Sequence, residues 1–271
     1  MIRHFVILLS VVVISFISGS HLSACSPVQQ AMGQTSVSRY LSAQVFYKNP
    51  ALLSYIEKPS VSFSFRRPYN LNELDQLWIS SSYSYNRLAV SIAFSNFGQA
   101  DILTENHVRI GLSYNLIDPY MQIGASLQYN QVAFGLNDYD NLSRVDFDFG
   151  LAGEYAEVIY HFAVYDINRS RYTDNDPETE IGYRAGIGIQ SLNDFTVNFE
   201  ISGRKNDPTR FHFGQEFVLH DYLLLRFGVV TEPTLPSAGF GIIYGKLRLD
   251  YAVNRHSRLD ESHSLGLSYS F

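Results

Sequence analysis

Charge is scarce in this chain of 271 residues: Lys, Arg, Asp and Glu together make up 17% of it, against roughly a quarter in soluble domains. Cysteine is nearly absent. Cys25 stands alone, which excludes an intramolecular disulfide framework. Long apolar runs are missing as well. Only Phe5 to Ile17 offers one, so a bundle of membrane helices, each needing about 20 apolar residues, is excluded. There is no basic tract, and the net charge is −6, so nucleic acid is not an expected partner. No repeat of 20 to 50 residues carries a signature, and no stretch has the composition of a long disordered linker.

The single apolar run follows Arg3 and His4 and is shorter than a membrane anchor, which is the pattern of a secretory signal peptide. Three cut sites are open. Ser18-Gly19-Ser20 supplies small residues directly after the apolar core, "AMGQ" (Ala31 to Gln34) supplies another small pair, and "LSAC" (Leu22 to Cys25) resembles a lipoprotein box that would leave Cys25 lipidated. The expected organisation is a leader over 1–33, an N-terminal periplasmic segment over 34–58 and a barrel over 59–271.

Aromatic residues are plentiful at 14%, with 19 Tyr and 19 Phe. From Ser60 onward the chain is a succession of short segments whose apolar and polar residues alternate, such as "LAVSIAFSNF", "HVRIGLSYNL", "MQIGASLQYN" and "KLRLDYAVN". Alternation with period two is the pattern of a strand with two unlike faces. About 14 such segments occur, each near the roughly ten residues a tilted strand needs to cross a bilayer. Short turns ("YNRL", "LIDPY", "EYAE", "SLND", "LHDY", "YGK") take turns with longer polar links such as "RRPYNLNELD", "GQADILTEN" and "NRSRYTDNDPETE". The expected fold is all-β: an antiparallel transmembrane barrel of the Gram-negative outer membrane, with short periplasmic turns and both termini periplasmic. Closure gives every edge strand a partner, as hydrocarbon demands.

Alternation also assigns the faces. Val108, Ile110, Leu112 and Tyr114 would meet lipid, and Arg109, Gly111, Ser113 and Asn115 the lumen. Charged replacements should therefore disrupt at Ile110 or Leu127 and be tolerated better at Ser113 or Ser126. Tyrosines near segment ends, including Tyr120, Tyr155, Tyr222 and Tyr244, suit the interfacial girdles. The closing "SLGLSYSF" resembles the C-terminal assembly signal of outer-membrane proteins, through Ser264, Gly266, Tyr269 and Phe271. That resemblance implies the barrel-assembly machinery as a partner, and loss of Phe271 should impair assembly.

Ahead of the first strand lies "FYKNPALLSYIEKPSVSFSF". Asn49-Pro50 marks a helix start, Ala51 to Ile56 a short apolar helical turn, and Lys58-Pro59 the lead into a strand. The string resembles the hatch junction of the FadL-type long-chain fatty-acid transporter family at Asn49, Pro50, Ala51, Leu52, Glu57, Lys58 and Pro59. The PorV and PorQ proteins of type IX secretion share the Asn-Pro-Ala element. The resemblance implies a fourteen-stranded barrel and a hatch-like segment over 34–58. Leu52, Leu53, Tyr55 and Ile56 would supply its apolar contacts. The Gly- and Ala-rich stretch that normally precedes Asn-Pro-Ala is absent here, which leaves both an open and a plugged lumen as alternatives.

Inward positions also carry Arg109, Asp146, Asp148, Glu154, Arg184, Glu200, Arg226, Lys246, Arg248 and Asp250. Opposite signs in near balance imply a salt-bridged interior before a conduit. No spacing singles out a nucleophile with its base, a divergent carboxylate pair or a metal site, so neither an enzyme nor a metal or other cofactor is expected. Three functions remain: passage of a hydrophobic small molecule, an accessory of protein secretion with a protein partner, and a barrel without cargo. Outer-membrane lipid surrounds the protein in each.

Overall fold

In a computed structural model, residues 26–99, 102–135, 140–191 and 194–271 are described. The apolar run, the cut at Ser18 to Ser20 and Cys25 fall outside them. Fourteen antiparallel strands close on themselves, each paired with its sequence neighbours and β1 with β14. They are β1 (Ser60–Arg67), β2 (Gln76–Tyr85), β3 (Leu88–Gln99), β4 (Leu103–Ile117), β5 (Met121–Phe134), β6 (Leu142–Tyr155) and β7 (Val158–Tyr165) on one half of the circumference. The other half is β8 (Gly182–Ser191), β9 (Phe195–Arg204), β10 (Arg210–His220), β11 (Leu223–Val230), β12 (Leu235–Tyr244), β13 (Leu247–Asn254) and β14 (Ser262–Ser270).

The faces follow the alternation. Ile110 and Leu112 are 46% and 48% exposed, whereas Arg109 between their neighbours is 3% exposed. An apolar outer belt and a polar interior are what a strand wall between lipid and a filled lumen requires. At one end the strands are joined by two or three residues, as at 86–87, 118–120 and 245–246; at the other the links reach the sixteen residues of 166–181. Ser60 pairs with Ser270, so the barrel's first and last residues lie together at the short-turn end. There the backbone N–H of Phe271 donates to Pro59 O at 2.9 Å, and the Tyr269 and Phe271 rings meet edge to face, with centroids 4.9 Å apart.

Two expectations change. The link "GQADILTEN" shrinks to 100–102, because Gln99 and Leu103 pair and carry β3 and β4 outward. Lys246 is not in the lumen; it sits exposed in the turn between β12 and β13.

The interior is filled by the N-terminal segment. A short helix α1 (Pro27–Ala31) opens it, with Ser26 as cap: its side chain accepts from Gln29 N, and the Gln29 side chain accepts from Ser26 N. An irregular run follows, then two 3-10 turns at Ala43–Tyr47 and Pro50–Tyr55. Nearly all of 26–53 is buried. A plug is therefore present without a glycine-rich stretch, and among the described residues it includes Ser26 to Leu53, so the 33/34 boundary and the "AMGQ" site lie inside one continuous buried segment.

Candidate functional site: the hatch and the lumen wall

The Asn-Pro-Ala turn shows why those three residue types stand together. The Asn49 side chain caps the 3-10 turn by accepting from Ala51 N at 2.9 Å, while Pro50 takes the first helical position, where no N–H is needed. The Asn49 amide also donates to Leu151 O and Phe162 O, at 3.0 and 3.1 Å, tying the turn to β6 and β7. The wall makes room for it. A Cβ at Gly124 would stand 2.3 Å from Ala51 N, and one at Gly150 would stand 2.0 Å from Asn49 Oδ1. Ser113 donates to Ala51 O at 2.9 Å and shares a hydrogen bond with Ser54. Tyr55 donates to Gln122 at 3.1 Å, and Ser84 to Ile56 O at 2.5 Å.

Leu52, Leu53 and Ile56 join Val45, Phe46 and Tyr47 in one apolar cluster with Trp78, Ala89, Ala93, Ala152 and Ile159 of the wall. Trp78 is the sole tryptophan of the chain. Burial pushes the Tyr47 hydroxyl up to about 12 and raises that of Tyr55, so both stay neutral. Ser113 and Ser126 both face the lumen as the alternation assigns them, Ser113 holding the hatch and Ser126 donating to Asp148 at 3.1 Å.

The charged residues read from the sequence are brought together in clusters. Arg109 bonds Asp148 and donates to Ser126 at 2.8 Å, with its guanidinium 4.9 Å from the Tyr47 ring centroid. Asp146 pairs with Arg144 at 3.2 Å and accepts from Asn130 at 2.6 Å. Glu200 pairs with Arg184 at 2.5 Å and with His161 at 3.3 Å. Arg226 bridges Glu216 and Asp250, both at 2.7 Å, and Arg248 reaches the other oxygen of Asp250 at 2.7 Å. Buried charges survive in pairs with further hydrogen bonds, and these have both. Of the terminal residues singled out in the sequence, Ser264 is buried in the lumen, Gly266 lies beside Pro27, and Tyr269 and Phe271 are exposed on the outer face.

Sequence reasoning missed Glu216, His212, Asn198 and Gln190, all of which contact the hatch. The signal was present: in "RFHFGQEFV" His212 and Glu216 share the inward parity of Gly214. At the long-loop end a cavity of about 30 Å³, lined by Tyr47, Lys48, Tyr165, Arg184, Arg204 and Arg210, is large enough to hold water.

No protein-family model matches the chain, and no curated protein matches it in sequence. Solved structures do match in shape. The Ralstonia pickettii toluene transporter TbuX is 12% identical, with 92% of this chain and 99% of that one covered and a TM-score of 0.69. The CymD monoaromatic hydrocarbon channel is 12% identical, with 92% and 98% covered and a TM-score of 0.71. A Pseudomonas aeruginosa FadL homologue is 10% identical, with 91% and 98% covered and a TM-score of 0.61. At such identities the likeness is one of fold: the chain shares its barrel architecture with hydrocarbon channels and a FadL homologue.

Proposed function

We propose that this chain is an outer-membrane barrel that admits a hydrophobic small molecule past its hatch. The observation that carries the reading is an apolar cluster in a wall rich in serines and ion pairs. Trp78, Ala89, Ala93, Ala152 and Ile159 face inward on β2, β3, β6 and β7 and pack against the hatch. A path for an apolar molecule needs such surface, because each Å² kept from water is worth about 25 cal/mol. The shape neighbours include proteins described as toluene transporters and a monoaromatic hydrocarbon channel, which fits an apolar cargo.

In this reading the short-turn end faces the periplasm with both ends of the barrel, the leader is cut before Ser26, and the terminal strand addresses the assembly machinery. The sole tryptophan provides the test. Toluene or a long-chain fatty acid titrated into the detergent-solubilised protein should change Trp78 emission saturably, and glucose should not. A response that merely follows partition into the micelle would sink passage and favour a barrel without cargo, the reading supported by the filled lumen.

A further inference from the structure

The run between α1 and the first 3-10 turn has no secondary structure of its own, yet its backbone is satisfied almost residue by residue. Barrel side chains do it. Ser237 accepts from Gly33 N at 3.1 Å, and His212 Nδ1 meets Gly33 O at 2.9 Å. Arg184 donates to Gln34 O at 3.2 Å, Asn198 to Val37 O at 2.7 Å, Gln190 to Ser38 O at 3.2 Å and Arg248 to Tyr40 O at 2.8 Å. Two N–H groups go to carboxylates, Ser36 to Glu200 at 2.5 Å and Arg39 to Glu216 at 2.9 Å. The same carboxylates accept from the hydroxyls of Ser36 and Ser38, each at 3.0 Å.

Donors in the wall thus face peptide carbonyls, and acceptors face peptide N–H groups. The wall also admits the backbone closely. A Cβ at Gly214 would stand 2.4 Å from Met32 O, and one at Gly228 would stand 2.1 Å from Gly33 N. The carboxylates are held in place from behind, Glu216 by Arg226 and Glu200 by Arg184. Hydrogen bonds to charged groups are worth about twice neutral ones, so this is a polar recognition surface for main chain.

We infer that the lumen wall formed by β8, β9, β10, β12 and β13 is a peptide-binding site, and that residues 33–40 are its tethered ligand. The ligand class is an irregular polypeptide segment with glycine at the place of Gly33 and hydroxyl residues at the places of Ser36 and Ser38. Such a segment, from this chain or another, competes with the first part of the hatch for the same groups. The inference does not depend on the cargo proposed above, because it concerns the ionic wall and not the apolar sector.

The test uses the full chain with a protease site inserted between Leu41 and Ser42, where the hatch reaches the short-turn end and Arg39 meets Asp194. After cleavage the N-terminal peptide should stay with the barrel through size-exclusion in detergent. A fluorescent synthetic peptide spanning Ser26 to Leu41 should replace it on incubation in excess. The same peptide with amide-to-ester replacements at Ser36 and Arg39 lacks the two N–H donors and should compete at least tenfold less well. That change alters the ligand alone, so barrel folding is not at stake. Immediate loss of the cleaved peptide, failure of the synthetic peptide to enter, or equal competition by amide and ester would each overturn the inference.

Discussion

Between Gly33 and Tyr40 the hatch hands its backbone mainly to barrel side chains, several of them charged, whereas between Ser42 and Ile56 it forms two 3-10 turns that meet the barrel through neutral hydrogen bonds and an apolar cluster. The first limb faces β8–β13, where carboxylates and arginines meet its backbone; the second faces β2–β7, where alanines, serines, glycines and one tryptophan line the lumen beside the Arg109–Asp148 pair. Charge-assisted bonds are directional and lose much of their worth when one partner is removed. Apolar contact is non-directional and tolerates sliding. One hatch thus contains a limb held by charged, directional bonds and a limb held by neutral bonds and apolar contact, and a hydrophobic molecule would displace the second at smaller cost.

The largest effect that could break this comparison is expected at Arg226. It is fully buried between Glu216 and Asp250, so Arg226→Ala leaves two carboxylates without their shared cation. A loss of about 3–5 kcal/mol is expected in urea denaturation of the folded barrel, with proteolytic access appearing first in residues 33–40. A loss below about 1 kcal/mol would mean that the ionic wall does not hold the first limb.

Gly124→Ala probes the other limb. The new methyl would be placed against Ala51 N, and overpacking of that kind costs about 1–3 kcal/mol. The second limb should lift: Trp78 emission shifts while residues 33–40 remain protected. Exposure of both limbs together would show that they move as one body.

The smallest effect is expected at Arg39, whose pair with Asp194 is 41% and 58% exposed on the two side chains. Arg39→Ala should change stability by no more than about 1 kcal/mol, since the first limb is read there through the backbone N–H and not the side chain. A larger loss, seen in the same urea series, would shift the recognition from main chain to side chain.

Much of this was legible in the residues. Strand ends at Gln76, Tyr85, Arg210 and Tyr244 follow from turn residues and alternation, and the Asn49 cap follows from Asn-Pro before an apolar run. The charged interior was legible as a set of inward positions but not as pairs. Glu200 could have met any of several cations, and only the closed barrel put it against Arg184, His161 and Ser36. The hatch-like segment was placed over 34–58, but the way its first limb is held was not legible, because "GQTSVSRY" has no periodicity and little apolar content; what orders it is the wall opposite, which local pattern cannot report.

Sequence alone determined the two faces, the strand succession and the turn that seats the second limb, because side-chain alternation, propensity and capping act within a few residues. Tertiary structure alone decided that residues 26–53 fill the lumen, that Glu216 and Glu200 hold a peptide backbone, and that Trp78, Ala89, Ala93, Ala152 and Ile159 gather into one apolar cluster. Those outcomes depend on contacts between residues as far apart as Ser36 and Glu200, separated by 164 positions. They exist only once the sheet has closed, because closure sets which inward side chains stand opposite one another across the lumen.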